Sequence, residues 1–188
     1  MSVDLTLPVS SSPAIDPYKD LPDPLLPFAL FVHVKLSDGE EELAAIEEAC
    51  NSQTEGNTAV RRAPRHDFAG QPLRAALTEH LDNLIVTRRF DPFYFVAVVD
   101  ENWREKGVVI VAMDDGAGDD DEEEEGGNHP RACQIDQLRV PPEDVGLVLV
   151  NLQIANVDWA GFKEEYGGEG DDENGDQGPS TEKPADST

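Results

Sequence analysis

"PPEDVGLVLVNLQIANVDWAGFKEEY" (141–166) is the stretch whose reading decides the fold, because its apolar run fits either a buried strand or a helix. Val145, Val148, Leu152, Ala155, Trp159 and Phe162 recur at spacings of three and four. Pro142, Glu143 and Asp144 are start signals for a helix. The long stripe and acidic start favour a helix over a buried strand. The chain then reads as α+β, with this element laid on a sheet. On the same helical wheel Leu147, Val150 and Ile154 form a second apolar stripe. A helix apolar on two faces has to be covered twice. That stripe is expected to meet a loop of the same chain, a protein partner or a second copy.

Working outward, "FALFVHV" (28–34) is apolar almost throughout, as expected for a strand covered on both faces. "SDGEEELAAIEEAC" follows, with Ser37 and Glu40 at capping-box spacing and Leu43, Ile46 and Cys50 as an apolar stripe, which predicts a helix. "NSQTEGNTAVRRAPRHDFAGQ" mixes Gly, Pro and polar residues and reads as a long loop. "PLRAALTEHLDNLIVTRR" places Leu73, Leu77, Leu81 and Leu84 or Ile85 at helical spacing, with Pro72 in the first turn. "FYFVAVV" (93–99) and "VVIVAM" (108–113) are strands joined by a connection too short for a parallel crossover, so they pair antiparallel. "CQIDQLRV" (133–140) reads as a further strand. The expected architecture is a two-layer α/β sandwich of about four mostly antiparallel strands, in the order β-α-α-β-β-β-α.

The charge is concentrated. Of the formal net charge of −26, much comes from "DDGAGDDDEEEEGG" (114–127) and "GGEGDDENGDQGPSTEKPADST" (167–188). Neither segment has the apolar content to offset its ordering entropy, so both are expected to be disordered. Residues 1–24, rich in Ser, Pro and Asp, read as a flexible lead-in, which leaves a single domain over 25–166. A field of this sign repels phosphate backbones and anionic lipid, so neither nucleic acid nor a membrane is an expected partner. Basic partners stay open, an acidic chaperone for basic proteins among them. The start lacks a signal-peptide pattern, and "LLPFALFVHV" is too short to cross a bilayer. With only Cys50 and Cys133 to offer, a disulfide framework is not expected. The expected setting is cytoplasmic or nuclear.

"LRVPPEDVGLVLVNLQIANVDWAGF" resembles the C-terminal signature of an uncharacterised domain family of fungi and bacteria, a domain of unknown function. In that family an Arg-Val-x-Pro strand exit leads into a helix and then Asn-Leu-x-Ile-Ala-Asn-x-Asp-aromatic. Arg139, Val140, Asn151, Leu152, Ile154, Ala155, Asn156, Asp158 and Trp159 match it here. The resemblance implies one α/β domain and carries no catalytic residue or cofactor with it.

The same polar residues admit two readings. As punctuation, Asn151 sits on the flank of the helix, Asn156 ends it in a left-handed conformation, and Asp158 caps a short turn through Trp159. As a site, Arg139, Asn151, Asn156, Asp158 and Trp159 line a polar binding cleft. No catalytic residue, metal site or cofactor motif is assigned. Asp172, Asn174 and Asp176 have EF-hand spacing, but Gln177 and Lys183 hold the positions that need Gly and Glu. Cys133, with His129 and Asp136 nearby, lacks the electropositive setting of a reactive thiol. His33 reads as a hydrogen-bonded core histidine. The functional expectation is a non-enzymatic interaction module, with an enzyme of unrecognised type as the alternative.

Overall fold

Every residue of Phe28–Val32 (β2) is buried, and successive side chains go to opposite sides. Phe28, Leu30 and Val32 join one hydrophobic cluster, while Ala29 and Phe31 join another. A strand with two buried faces needs a layer on each of them. The computed structural model, which describes residues 2–11, 25–54, 58–84, 87, 89–114 and 133–167, shows those two layers.

The elements run in chain order as β1 (Ser10–Ser11), β2, α1 (Glu40–Cys50), β3 (Val60–Asp67) and α2 (Leu73–Glu79), the last continued by a π-helical turn over His80–Leu84. Then come β4 (Tyr94–Val98), α3 (Trp103–Lys106), β5 (Val108–Asp114), β6 (Cys133–Val140), a 3-10 turn (Pro142–Asp144), α4 (Val145–Gln153) and α5 (Trp159–Tyr166). The sheet order is β1-β6-β5-β4-β2-β3. β2 is parallel to both β3 and β4, whereas β4–β5, β5–β6 and β6–β1 are antiparallel.

The fold is α+β with a mixed sheet, and three expectations are corrected. There are five strands of five to eight residues plus the short β1, in place of about four. The β3-β2-β4 half is parallel where a mostly antiparallel sheet was expected. The two-layer sandwich becomes three layers. α1, α4 and α5 supply Leu43, Ile46, Val148, Leu149 and Phe162 to one cluster, and α2 supplies Leu73, Ala76 and Leu77 to the other.

β3 lies where the sequence reads as loop. Its "VRRAPRHD" buries only Val60 and Ala63 among polar neighbours. It tolerates Pro64 because an edge strand has one unpaired side, and it shows a register shift against β2 between Leu30 and Val32. Two of its three arginines pair with the chain's own helices: Arg62 with Glu47 at 2.8 Å and with Glu40, and Arg65 with Glu79 at 3.2 Å.

Residues 2–11, within the expected lead-in, form an arm on the α2 side. Val3, Leu5 and Leu7 pack against the cluster there, the Asp4 carbonyl accepts from Leu73 N–H at 2.9 Å, and Ser10–Ser11 pair with Gln134–Cys133. The rest of the lead-in, the acidic loop over 115–132 and the tail from 168 lie outside the described residues.

α4 is a helix, as its spacing predicts, and Gly146 lets it approach the end of α1. A Cβ there would stand 2.6 Å from the Cys50 carbonyl oxygen and 2.5 Å from Thr54 Cγ2. At the start of α1 the expected Ser37–Glu40 capping box is replaced. Ser37 N–H and Oγ–H both donate to Glu42, at 2.8 and 3.0 Å, and Gly39 with φ 54° leads into the helix. A positive φ is the conformation glycine adopts without a Cβ penalty.

Candidate functional site

The amide-rich signature closes on itself at the end of α4. Asn151 Nδ2 donates to the Leu147 carbonyl at 2.9 Å, and Asn156 Nδ2 donates to Asn151 Oδ1 at 2.9 Å. The left-handed residue is Ala155, φ 53°, not Asn156 as the sequence suggests. Asp158 is an N-cap, as expected: it has extended backbone and accepts from Gly161 N–H at 2.7 Å. Asp158→Ala should cost about 1 kcal/mol of stability, the usual worth of such a cap. A fall in Tm checks it, and an unchanged Tm would show that α5 is held by packing alone.

Trp159 is half-buried, packs beside Tyr94, and its Nε1–H donates to Asp136 Oδ2 at 3.0 Å. Phe162, 6% exposed, is the deeper anchor of α5.

Gln153 does the longest-range work of the segment. Its Nε2 donates to the Leu26 carbonyl at 2.9 Å and to Asp91 Oδ2 at 2.8 Å, which ties α4 to the amino ends of β2 and β4. Asp91 also accepts from the N–H groups of Phe93 and Tyr94 at 2.8 and 3.1 Å. Burial pushes its carboxyl up to about 6 despite those bonds. His80 is buried close by, donates from Nε2 to the Pro92 carbonyl at 3.2 Å, and has a pKa lowered by burial to about 4.

Arg139 is not part of this constellation. It stands at the carboxyl end of β6, where it pairs with Val109 and donates from Nη1 to the carbonyls of Lys106 and Gly107 at 3.2 Å each. Trp159 lies beside Tyr94 at the amino end of β4, and the cleft that Arg139 lines is not lined by Asn151, Asn156, Asp158 or Trp159.

The carboxyl end has its own features. β2 leads into α1 on one face and β3 into α2 on the other, so the adjacent strands β2 and β4 bracket a topological switch point. Crevices at such points commonly receive ligands. A pocket of about 350 Å³ opens there, lined by Val34, Val99, Asp100, Asn102, Lys106 and Arg139 among others. The Lys106 ammonium, 2.8 Å from Asp100, and the Asn102 N–H hold the Asp100 carboxyl below its ordinary range. Across Lys106 and Arg139 a second cleft of about 670 Å³ runs along β6 between α3 and α5.

Sequence reasoning passed over Asp91, Asp100 and Lys106. For Asp100 a signal existed, an acid immediately after a fully apolar strand. His33 behaves as expected, buried with Nδ1 3.0 Å from the Gln71 carbonyl, and its pKa is lowered by burial. Cys50 is buried, with its thiol pushed up to about 12, so the thiolate needed for chemistry is not formed at neutral pH. Among the described residues no group of three or more His, Cys, Asp or Glu side chains is placed to hold a metal ion. No helix among them is long and apolar enough to cross a membrane.

Fold and surface together define a mixed-sheet α+β domain whose C-terminal signature serves as an internal clasp between α4 and the sheet. The family model of a domain of unknown function (DUF6924) matches residues 29–171, and the chain belongs to that family. No curated protein and no solved structure matches it.

Proposed function

We propose that the protein is a non-enzymatic interaction module that self-associates through the exposed side of α4. One observation carries the reading. The thirteen residues 145–157 contain no charged side chain in a chain of net charge −26, and Leu147 and Ile154 on their outer face are 45% and 54% exposed. Val150 lies between them, half-buried against the core. Leu25, at 56% exposure, precedes the Leu26 carbonyl that Gln153 binds, which extends the apolar surface past the end of the helix.

A basic partner would be drawn to the acidic surfaces, not to this one. A like-charged second copy is least repelled where no charge stands, and the same patch on both copies makes a closed two-fold contact. The amides of Asn151 and Asn156 beside the stripe suit the polar rim of such an interface. The amides of Asn151 and Asn156 are bonded to Leu147 and to each other and not to Arg139, which favours the interaction reading over an enzyme with a shared polar cleft.

Light scattering over a concentration series tests the proposal. The native chain should shift from monomer to dimer, more readily as added salt screens the charge. Leu147→Glu/Ile154→Glu should remain monomeric with an unchanged Tm, because both side chains are already half in solvent. A native chain that stays monomeric at millimolar concentration in high salt would overturn the reading.

A further inference from the structure

The cleft along β6 inverts the charge of the molecule around it. Arg104, Lys106, Arg139 and Lys163 line it, against the acids Glu105 and Asp136. Lys106 pairs with Asp100 and Lys163 with Asp136, each at 2.8 Å. The Arg104 guanidinium lies over the Trp103 ring at 4.1 Å, and Arg139 donates to two backbone carbonyls. Neither arginine forms an ion pair with a described residue. Asp100 feels the charge of Arg139 as well as of Lys106, which leaves Arg104 as the guanidinium outside any carboxylate's reach among the described residues, and the four cations outnumber the two acids that line the cleft. Such a lining calls for an anion.

We propose that the occupant is the chain's own C-terminal segment, residues 168–188. Three observations select it. Gly167, from which the segment departs, itself lines the cleft. The segment carries Glu169, Asp171, Asp172, Glu173, Asp176, Glu182 and Asp186 against the single cation Lys183. A flexible chain of its length spans roughly 25 Å on average, so its acids are within reach of a cleft that begins at Gly167. An external anion has to approach against the net charge of −26, whereas a tethered one is present at an effective concentration in the millimolar range. The other acidic run, between Asp114 and Cys133, leaves the sheet at the amino end of β6, away from Arg104 and Arg139. The contact is electrostatic and needs no folding of the segment.

Zero-length carbodiimide coupling on the full chain, read by mass spectrometry, tests this. Lys106 should couple to Asp176, Glu182 or Asp186, and the yield should fall at least about fivefold in molar salt, where the screening length is near 3 Å. The same loss is expected for Arg104→Glu/Arg139→Glu. Should that variant unfold by circular dichroism, Arg104→Gln/Arg139→Gln removes the charges without adding new ones and should lower the yield in the same direction. Coupling of Lys106 only to Asp100 or to acids of residues 119–125 would overturn the proposal. So would tail coupling that neither salt nor the arginine variants change.

Discussion

Replacing Trp103 by alanine is expected to lower the unfolding free energy by about 3–5 kcal/mol, the range for emptying a large aromatic site in a core. The indole is 1% exposed and belongs to the same cluster as Val108, Val140 and the α1 residues Leu43 and Ile46. It sits in the four-residue α3, too short to be stable alone, so that helix exists because the ring is packed. Its Nε1–H also donates to Glu42 Oε1 at 3.3 Å, a bond the variant loses together with the apolar contact. Gly107 follows at φ 78°, and a Cβ there would meet the Val140 carbonyl oxygen at 2.6 Å, so the turn into β5 has no slack to refill the space. Urea denaturation should show a lower midpoint with an unchanged slope. A midpoint within about 0.5 kcal/mol of native would mean that the cavity collapses at no cost and that Trp103 is not an anchor of the core. Trp159, half-buried on α5, should cost less on the same substitution.

What the sequence revealed of this fold divides along one physical line. Where burial is two-sided or a stripe is long, apolar pattern and structure agree: β2, β4, β5, β6, α1, α2 and α4 all lie where the residues place them. β3 escaped because an edge strand pairs on one side and tolerates Pro64 and three arginines, so its composition is that of a loop. The parallel pairing escaped with it, since β2–α1–β3 is invisible once β3 is read as loop. The N-terminal arm did leave a signal. Val3, Leu5, Leu7 and Val9 alternate strictly, and the first three pack on the sheet, yet a run of four within Ser, Pro and Asp was outweighed by its surroundings. The polar clasp was half legible. Asp158 declared itself as a cap by type and position, while the partner of Gln153, Asp91, lies 62 residues away and no local pattern links them. Arg139 was grouped with the amides because both belong to one contiguous signature. Arg139 ends up beside Val109 at the carboxyl end of β6, whereas Gln153 is bonded at the amino ends of β2 and β4.

The second large effect is a dependence of stability on pH in which two buried groups oppose each other. His80 titrates at about 4 in the fold against an ordinary 6.5, because burial disfavours its charged form. Its stabilisation is complete above pH 6.5 and is lost as pH falls from 6.5 toward 4, in all about 3 kcal/mol at 1.36 kcal/mol per pKa unit. His33, lowered in the same direction, adds to that loss. Asp91 titrates at about 6 against 3.8, so its ionised form is penalised above pH 6 by a similar amount. That penalty is relieved as pH falls from 6 toward 4, across the window in which His80 grows costly. Asp91→Asn removes the opposing group. Relative to native, the variant should give up about 3 kcal/mol of stability between pH 7 and pH 4, since native Asp91 takes up its proton there and the variant gains nothing. His80→Gln should move the other way, improving on native by about the same amount over that interval. Denaturant titrations of the three proteins at half-unit steps give the difference curves directly. Curves for Asp91→Asn and native that run parallel from pH 7 to pH 4 would show that Asp91 ionises in the fold as it does in water, and that the three hydrogen bonds it accepts offset its burial completely.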